Sequence, residues 1–267
     1  MTVQKRVLEH LAEAKTLIPE QNIVGIFLQG SQNYGLSYAG SDVDTKCITT
    51  PVLYDLCRNK KPLSTTHIRA NEEHIDLKDI RLYVDTFRKQ NLNFLEILWT
   101  PYYSLNPLYQ EQWERLVKDR EVIARMNPLR AVKSMYGIAM EKYHALKHPY
   151  PSKVEILAKY GFDPKQLHHL LRVEEYLRRY IDGEEYGKCL VSAQKDYLLA
   201  VKTNTVNYSE EEADKIALTS IENTTHMVDK FKELHPKEEV NAYADELLTD
   251  VGCQIIEISL RNELKEG

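Results

Sequence analysis

The chain has 267 residues, 43% of them hydrophobic and 28% charged, with a formal net charge of −5. That length buries a sizeable core in one large or two small domains, and the acidic balance excludes wholesale attraction to nucleic acid, leaving only a local basic patch for such a role. Cys47, Cys57, Cys189 and Cys253 form no CxxC pair, no basic-then-apolar leader opens the sequence and no run reaches a membrane span of roughly 18 apolar residues, so a cytoplasmic protein with reduced thiols and no membrane contact is expected.

Val3, Val7, Leu8, Leu11, Ala14 and Leu17 recur at helical spacing, which predicts an amphipathic helix over 3–18 that Pro19 ends. The β-branched and aromatic run 22–28 then reads as a buried strand that stops at Gly30-Ser31. Residues 29–41 have loop composition with room for one helical turn. The alternating segment 42–49 reads as a half-buried strand closed by Pro51. Residues 58–73 read as a loop or ragged hairpin, and 74–78 as a third strand. Asp79 is placed to cap a helix running to Gln90, with apolar residues continuing from Asn93 to Trp99. After about residue 105 the strand signals fade, and helical periodicity covers 107–125, 128–147, 163–181, 187–203, 209–234 and 237–264. The fold class expected is α+β, a small mixed β-sheet domain over 1–120 followed by an all-helical domain over 121–267.

Three features near the N-terminus carry chemistry. A buried strand runs into Gly30-Ser31, ten residues separate Ser31 from Asp42, and Asp42 and Asp44 stand at i, i+2. On a strand that spacing puts both carboxylates on one side and Val43 on the other. Neighbouring carboxylates repel unless a cation joins them, and Mg²⁺ prefers oxygen ligands. A third carboxylate on an adjacent strand, Asp76 with Glu73 and Asp79 as competitors, would allow two ions to clamp an in-line phosphoryl displacement. Gly30 permits close backbone approach to a phosphate, and the Ser31 hydroxyl and following N–H groups would hold its oxygens, best of all if a helix starts there. Each piece alone has an ordinary reading as a turn or a solvated strand face; the combination points to nucleotide chemistry.

At these residues the sequence resembles the DNA polymerase beta-like nucleotidyltransferase superfamily, whose signature is Gly-Ser, then Asp-x-Asp, then a later Asp. Gly30, Ser31, Asp42 and Asp44 match, with Ser41 before the first Asp, and Asp76 stands for the third. The longer stretch from Gly30 through Gln32-Asn33-Tyr34-Gly35-Leu36 to Asp44 is similar to the predicted nucleotidyltransferases labelled "RNA repair pathway DNA polymerase beta family". Segments 91–98 and 159–172 resemble two further segments of that group. Leu92 stands where the group has Pro, which suggests an unbroken helix. The resemblance implies a polymerase beta-like palm and a helical domain closing a nucleotide and acceptor cleft. It also implies two Mg²⁺ ions, or Mn²⁺, on Asp42, Asp44 and Asp76, an NTP substrate, and an RNA end among the acceptors.

A second cluster lies at Lys165, His169 and Arg172. Their i, i+4, i+7 spacing puts them on one helix face, suited to a triphosphate or an RNA phosphate. The plainer reading is a solvated basic face with His169 against the core. Tyr34 and Tyr38, flanking the loop, are candidates to stack on a base. Two other functions fit the same residues: a protein-modifying AMP-transferase of toxin–antitoxin type, and a non-catalytic nucleotide- or RNA-binding module.

Overall fold

The computed structural model describes residues 2–38 and 40–266. The elements follow in the order α1 (Val3–Leu17), β1 (Ile23–Gln29), β2 (Asp44–Thr49), α2 (Leu53–Cys57), β3 (Ser64–Ile68), β4 (His74–Asp79), α3 (Ile80–Arg88), α4 (Leu92–Leu95), β5 (Tyr103–Leu105), α5 (Gln110–Lys118) and α6 (Arg120–Ala124). They continue with α7 (Pro128–Ala145), α8 (Val154–Tyr160), α9 (Pro164–Ile181), α10 (Tyr186–Leu190), α11 (Lys195–Lys202), α12 (Glu210–Leu234) and α13 (Ala242–Glu266). This is the α+β arrangement expected, a mixed sheet followed by helices. The chain forms two compact units. One comprises Met1–Asn33, Tyr38–Asn127 and Val240–Gly267, the other Tyr34–Ser37 and Pro128–Glu239.

The first unit is built on a five-stranded sheet of order β3-β4-β2-β1-β5, in which β2 and β4 are parallel and the other pairs antiparallel. Successive side chains alternate faces. One face carries Ile26, Leu28, Cys47, Ile75 and Leu77, and α1 covers it with Val7 and Ala14 in a common core. The other face carries Phe27, against which Trp113 of α5 packs with ring centroids 4.2 Å apart. Phe94 of α4 and Tyr83 of α3 lie on this side too, 5.7 Å apart.

The last helix belongs to this unit, whereas a single cut near residue 120 would have given it to the helical part. Helix α13 packs on α3 and α5. Its apolar stripe of Ala244, Leu248, Val251 and Ile255 is buried, and Asp245 and Asp250 hold Arg88 and Arg115 at 2.6 Å. An apolar stripe states that a helix needs a partner surface, not which one.

The segment after α3 is not continuous helix. Gln90 has φ +54°, and Asn91 caps α4 by accepting from the Asn93 N–H at 3.0 Å. The stretches 107–125 and 187–203 are likewise each split into shorter helices. Strand β5 and helices α2 and α8 carry too few residues to declare a period.

In the second unit α9 is the hub, packed on α7, α10, α11 and α12. Leu167, Leu170, Val173, Tyr176, Leu177 and Tyr180 are buried along it. Asp163 caps it, accepting from the Lys165 N–H at 2.9 Å. Among the described residues no helix is long and apolar enough to cross a membrane.

Candidate functional site

Strand β1 ends in a tight turn. Gly30 takes φ +95°, in the left-handed region that favours glycine. Its carbonyl accepts the Asn33 N–H at 2.9 Å, and the Asn33 amide donates to Leu28 O at 3.0 Å. Thr100 Oγ1 donates to Asn33 Oδ1 at 2.7 Å, fixing the side chain that braces the turn. No helix starts here; residues 31–35 are turn, so the dipole of a helix N-terminus is not on offer. The Gly30 N–H is already committed, donating to the buried Glu96 carboxylate at 3.0 Å. Ser31 is half-buried beside it.

Strand β2 begins at Asp44, and Asp42 lies just ahead of it. Val43 is buried in the α1-side core, while Asp42 is exposed and Asp44 half-buried. Two contacts from the β3–β4 hairpin pin this segment. The His74 N–H donates to Asp44 Oδ1 at 2.9 Å, and the Val43 N–H donates to Glu73 Oε1 at 3.0 Å. The Asp44 carboxylate is thus oriented through one oxygen by the His74 N–H, with the His74 ring Nδ1 3.5 Å from the same oxygen.

Asp76 shares Asp44's face. The parallel register pairs Lys46 with Asp76, and Asp44 stands two residues before Lys46. Strand spacings place the Cα atoms of Asp44 and Asp76 roughly 8 Å apart, close enough for carboxylates to reach a common cation. Asp76 is not idle, however. Lys46 Nζ lies 3.3 Å and Lys78 Nζ 3.9 Å from Asp76 Oδ2. Both ammoniums also sit over the Phe94 ring, at 3.8 and 4.1 Å. Lys46 is only 4% exposed. Burial pushes its pKa down, against the pull of Asp76 and Glu96. These two lysines were legible as the i+2 neighbours of Asp44 and Asp76 on a strand, but spacing alone does not say that they ion-pair.

The competitors for the third position face elsewhere. Glu73, 1% exposed, receives His10 Nε2 at 3.0 Å, Arg69 Nη1 at 3.0 Å and Asn71 Nδ2 at 2.8 Å, and pairs with Arg6. It is a structural anchor beneath Val43. Asp79 caps α3 through the Arg81 N–H and pairs with the Arg81 guanidinium at 2.7 Å.

Among the described residues no three His, Cys, Asp or Glu side chains form a ready-made metal cage. Mg²⁺ does not require one, because it keeps several waters and takes one or two carboxylates together with substrate phosphates. Asp42 and Asp44 are hard oxygen donors with solvent access and fit that donor set.

In the second unit Lys165, His169 and Arg172 keep their helical spacing but not a common environment. Lys165 is exposed, His169 half-buried and Arg172 only 5% exposed. Burial, reinforced by His168, Arg172, Lys142 and Lys165, holds the His169 pKa well below its ordinary value, so the ring is neutral at neutral pH. His168 is likewise lowered to about 4, chiefly by burial, its Nδ1 facing Leu198 O at 2.8 Å. Tyr34, a candidate base platform by sequence, is instead covered: its ring lies 3.5 Å from the Arg172 guanidinium. Tyr38 remains exposed.

No protein-family model and no curated protein matches the sequence. Among solved structures, a nucleotidyltransferase-like protein from Exiguobacterium sibiricum 255-15 is similar over 84% of this chain and 74% of that one, at 11% sequence identity and a TM-score of 0.30. Similarity that loose transfers neither residue roles nor activity, and the site rests on its own geometry.

Proposed function

We propose that the protein is a Mg²⁺-dependent nucleotidyltransferase that moves a nucleoside monophosphate from an NTP to an acceptor hydroxyl, an RNA end being the acceptor class its resemblance favours. The carrying observation is the Asp44 carboxylate, pinned by the His74 N–H at 2.9 Å on the sheet face it shares with Asp76, one strand from the Gly30 turn.

In the reaction the acceptor oxygen bonds to the α-phosphorus, the bond to the bridging oxygen breaks, and pyrophosphate leaves with the electron pair. Bound Mg²⁺, or Mn²⁺, would supply charge neutralisation on the triphosphate and acidify the attacking hydroxyl. Asp42 and Asp44 would hold it, Asp44 oriented in advance by the hairpin N–H and the backbone between them anchored by Val43 in the core. Asp76 would complete a second ion's shell and take up the hydroxyl proton once a substrate draws Lys46 away from it. Ser31, half-buried beside the Gly30 turn, would hold a phosphate oxygen, and Lys165, His169 and Arg172 form a separate candidate phosphate-binding face on α9 of the helical unit.

The test is incorporation of α-labelled phosphate from each NTP into RNA or protein with Mg²⁺ present. The double variant Asp42→Ala/Asp44→Ala should lose about 10³-fold or more in rate, corresponding to several kcal/mol of transition-state stabilisation. Equal labelling by the wild type and the double variant would sink the proposal. Label found on protein and not on RNA would replace the RNA acceptor by a protein hydroxyl.

A further inference from the structure

We infer that the Nε–Nη2 edge of Arg172 is a docking point for a triphosphate group in the helical unit, and that it works without a divalent cation. The inference rests on the nucleotide-binding reading of α9 and deepens it by naming the group bound and the atoms that bind it.

Arg172 is 5% exposed, yet Nε and Nη2 are buried with no acceptor in hydrogen-bonding reach among the described residues. A guanidinium stays charged at any physiological pH, so it cannot escape this cost by losing its proton, as a lysine would. Buried charges are ordinarily paired. The two unpaired donors are adjacent on one side of the guanidinium plane. That side is the fork that meets two oxygens of a single oxyanion. The plane itself is fixed, because the Tyr34 ring covers one face at 3.5 Å. Tyr34 is held in turn in an apolar cluster with Leu36 and Leu198, and Lys202 Nζ donates to Leu36 O at 3.0 Å.

The surroundings decide which oxyanion. Lys165, Lys142 and Lys202 add positive potential around His168 and His169, and Lys195 Nζ lies over Gly35, where an added Cβ would meet it at 2.9 Å. The nearest carboxylates along α9 are engaged elsewhere. Glu174 accepts from Ser220 Oγ at 2.6 Å and Asn223 Nδ2 at 3.1 Å, and Glu175 accepts from Ser192 Oγ and from the Ala193 N–H at 2.7 Å. A single carboxylate would leave this potential largely uncompensated, whereas a polyphosphate carries enough charge to match it.

The experiment is calorimetric titration of sodium tripolyphosphate in EDTA. Wild type should bind, and Arg172→Met should weaken binding about tenfold or more, as expected for loss of a bidentate charged contact. Removing an unpaired buried charge should leave the ligand-free Tm at or above that of wild type. Lys165→Ala, an exposed change, should weaken binding about threefold and lessen its salt dependence. Asp42→Ala/Asp44→Ala should bind tripolyphosphate as wild type does. Wild-type affinity in Arg172→Met, a marked fall in its ligand-free Tm, or loss of binding in the aspartate variant would each overturn the inference. ATP, and an RNA with a 5′-triphosphate set against the same RNA with a 5′-hydroxyl, then identify the carrier; binding of neither overturns the inference as well. Intact tripolyphosphate binding in a protein that transfers no label would sink the transferase reading and leave this one standing.

Discussion

The surroundings of Glu73 and Lys46 in the sheet unit and of Arg172 in the helical unit treat buried charge in opposite ways. In the sheet unit the buried charges of Glu73 and Lys46 lie beside groups of opposite charge. Glu73 collects His10, Arg6, Arg69 and Asn71, and Asp76 holds Lys46 and Lys78. In the helical unit Arg172 is buried with two donors unmatched, and the histidines beside it stay neutral. A compensated network fixes geometry and is complete by itself. An uncompensated cation costs stability unless something outside the protein pairs with it. The contrast separates side chains whose charge is met within the protein from one whose donors are not.

The largest expected effect breaks the compensated side. Glu73→Ala leaves Arg6 and Arg69 without their buried partner and frees the Val43 N–H, and should cost about 3–5 kcal/mol. Urea denaturation followed by circular dichroism measures it, and a loss below 1 kcal/mol would mean the network is solvated and not a brace.

Acid should strain the other side next. His168, 1% exposed, has a folded pKa of about 4 against an ordinary 6.5. The unfolded chain therefore binds the proton first, so the stability this ring contributes is whole above pH 6.5 and is lost as pH falls towards 4. The loss should reach about 3 kcal/mol. Protonation would add charge among Lys202, Arg172, Lys165 and neutral His169, where the Leu198 carbonyl faces the ring Nδ1 at 2.8 Å. Tm measured from pH 7 to 4 should fall, and His168→Gln should flatten the slope; an unchanged slope would contradict the assignment.

The smallest change in stability comes from Lys46→Met. The lost ion pair with Asp76 is offset by relief of a buried ammonium, and the net should stay within about 1 kcal/mol. The informative readout is Mn²⁺ titration by electron paramagnetic resonance. Several-fold tighter binding is expected if Asp76 serves a cation once Lys46 is gone. Unchanged affinity would make Asp76 only the counter-ion of its lysines.

Much of this was legible from residues alone. Asp79 caps α3 as its position before an amphipathic run implies. Val43 is buried between exposed Asp42 and half-buried Asp44, as period-two alternation requires. Other features were not. Asn91 caps a new helix after Gln90 at φ +54°, where the apolar spacing read as nearly continuous. Tyr34 stacks on Arg172, 138 positions away by residue number, a contact that no local pattern encodes.

The sequence by itself determined the alternation that sets Asp42 and Asp44 apart from Val43, the turn at Gly30, and the helical character of the chain from α7 onward apart from the short α8, because these depend on near neighbours and on backbone preference. Only the tertiary structure decided that α13 returns to the sheet unit, that Asp76 meets Lys46, and that Arg172 is left unpaired. Those outcomes depend on which apolar surfaces cover one another and on which charges burial then brings together, and burial is a property of the whole chain.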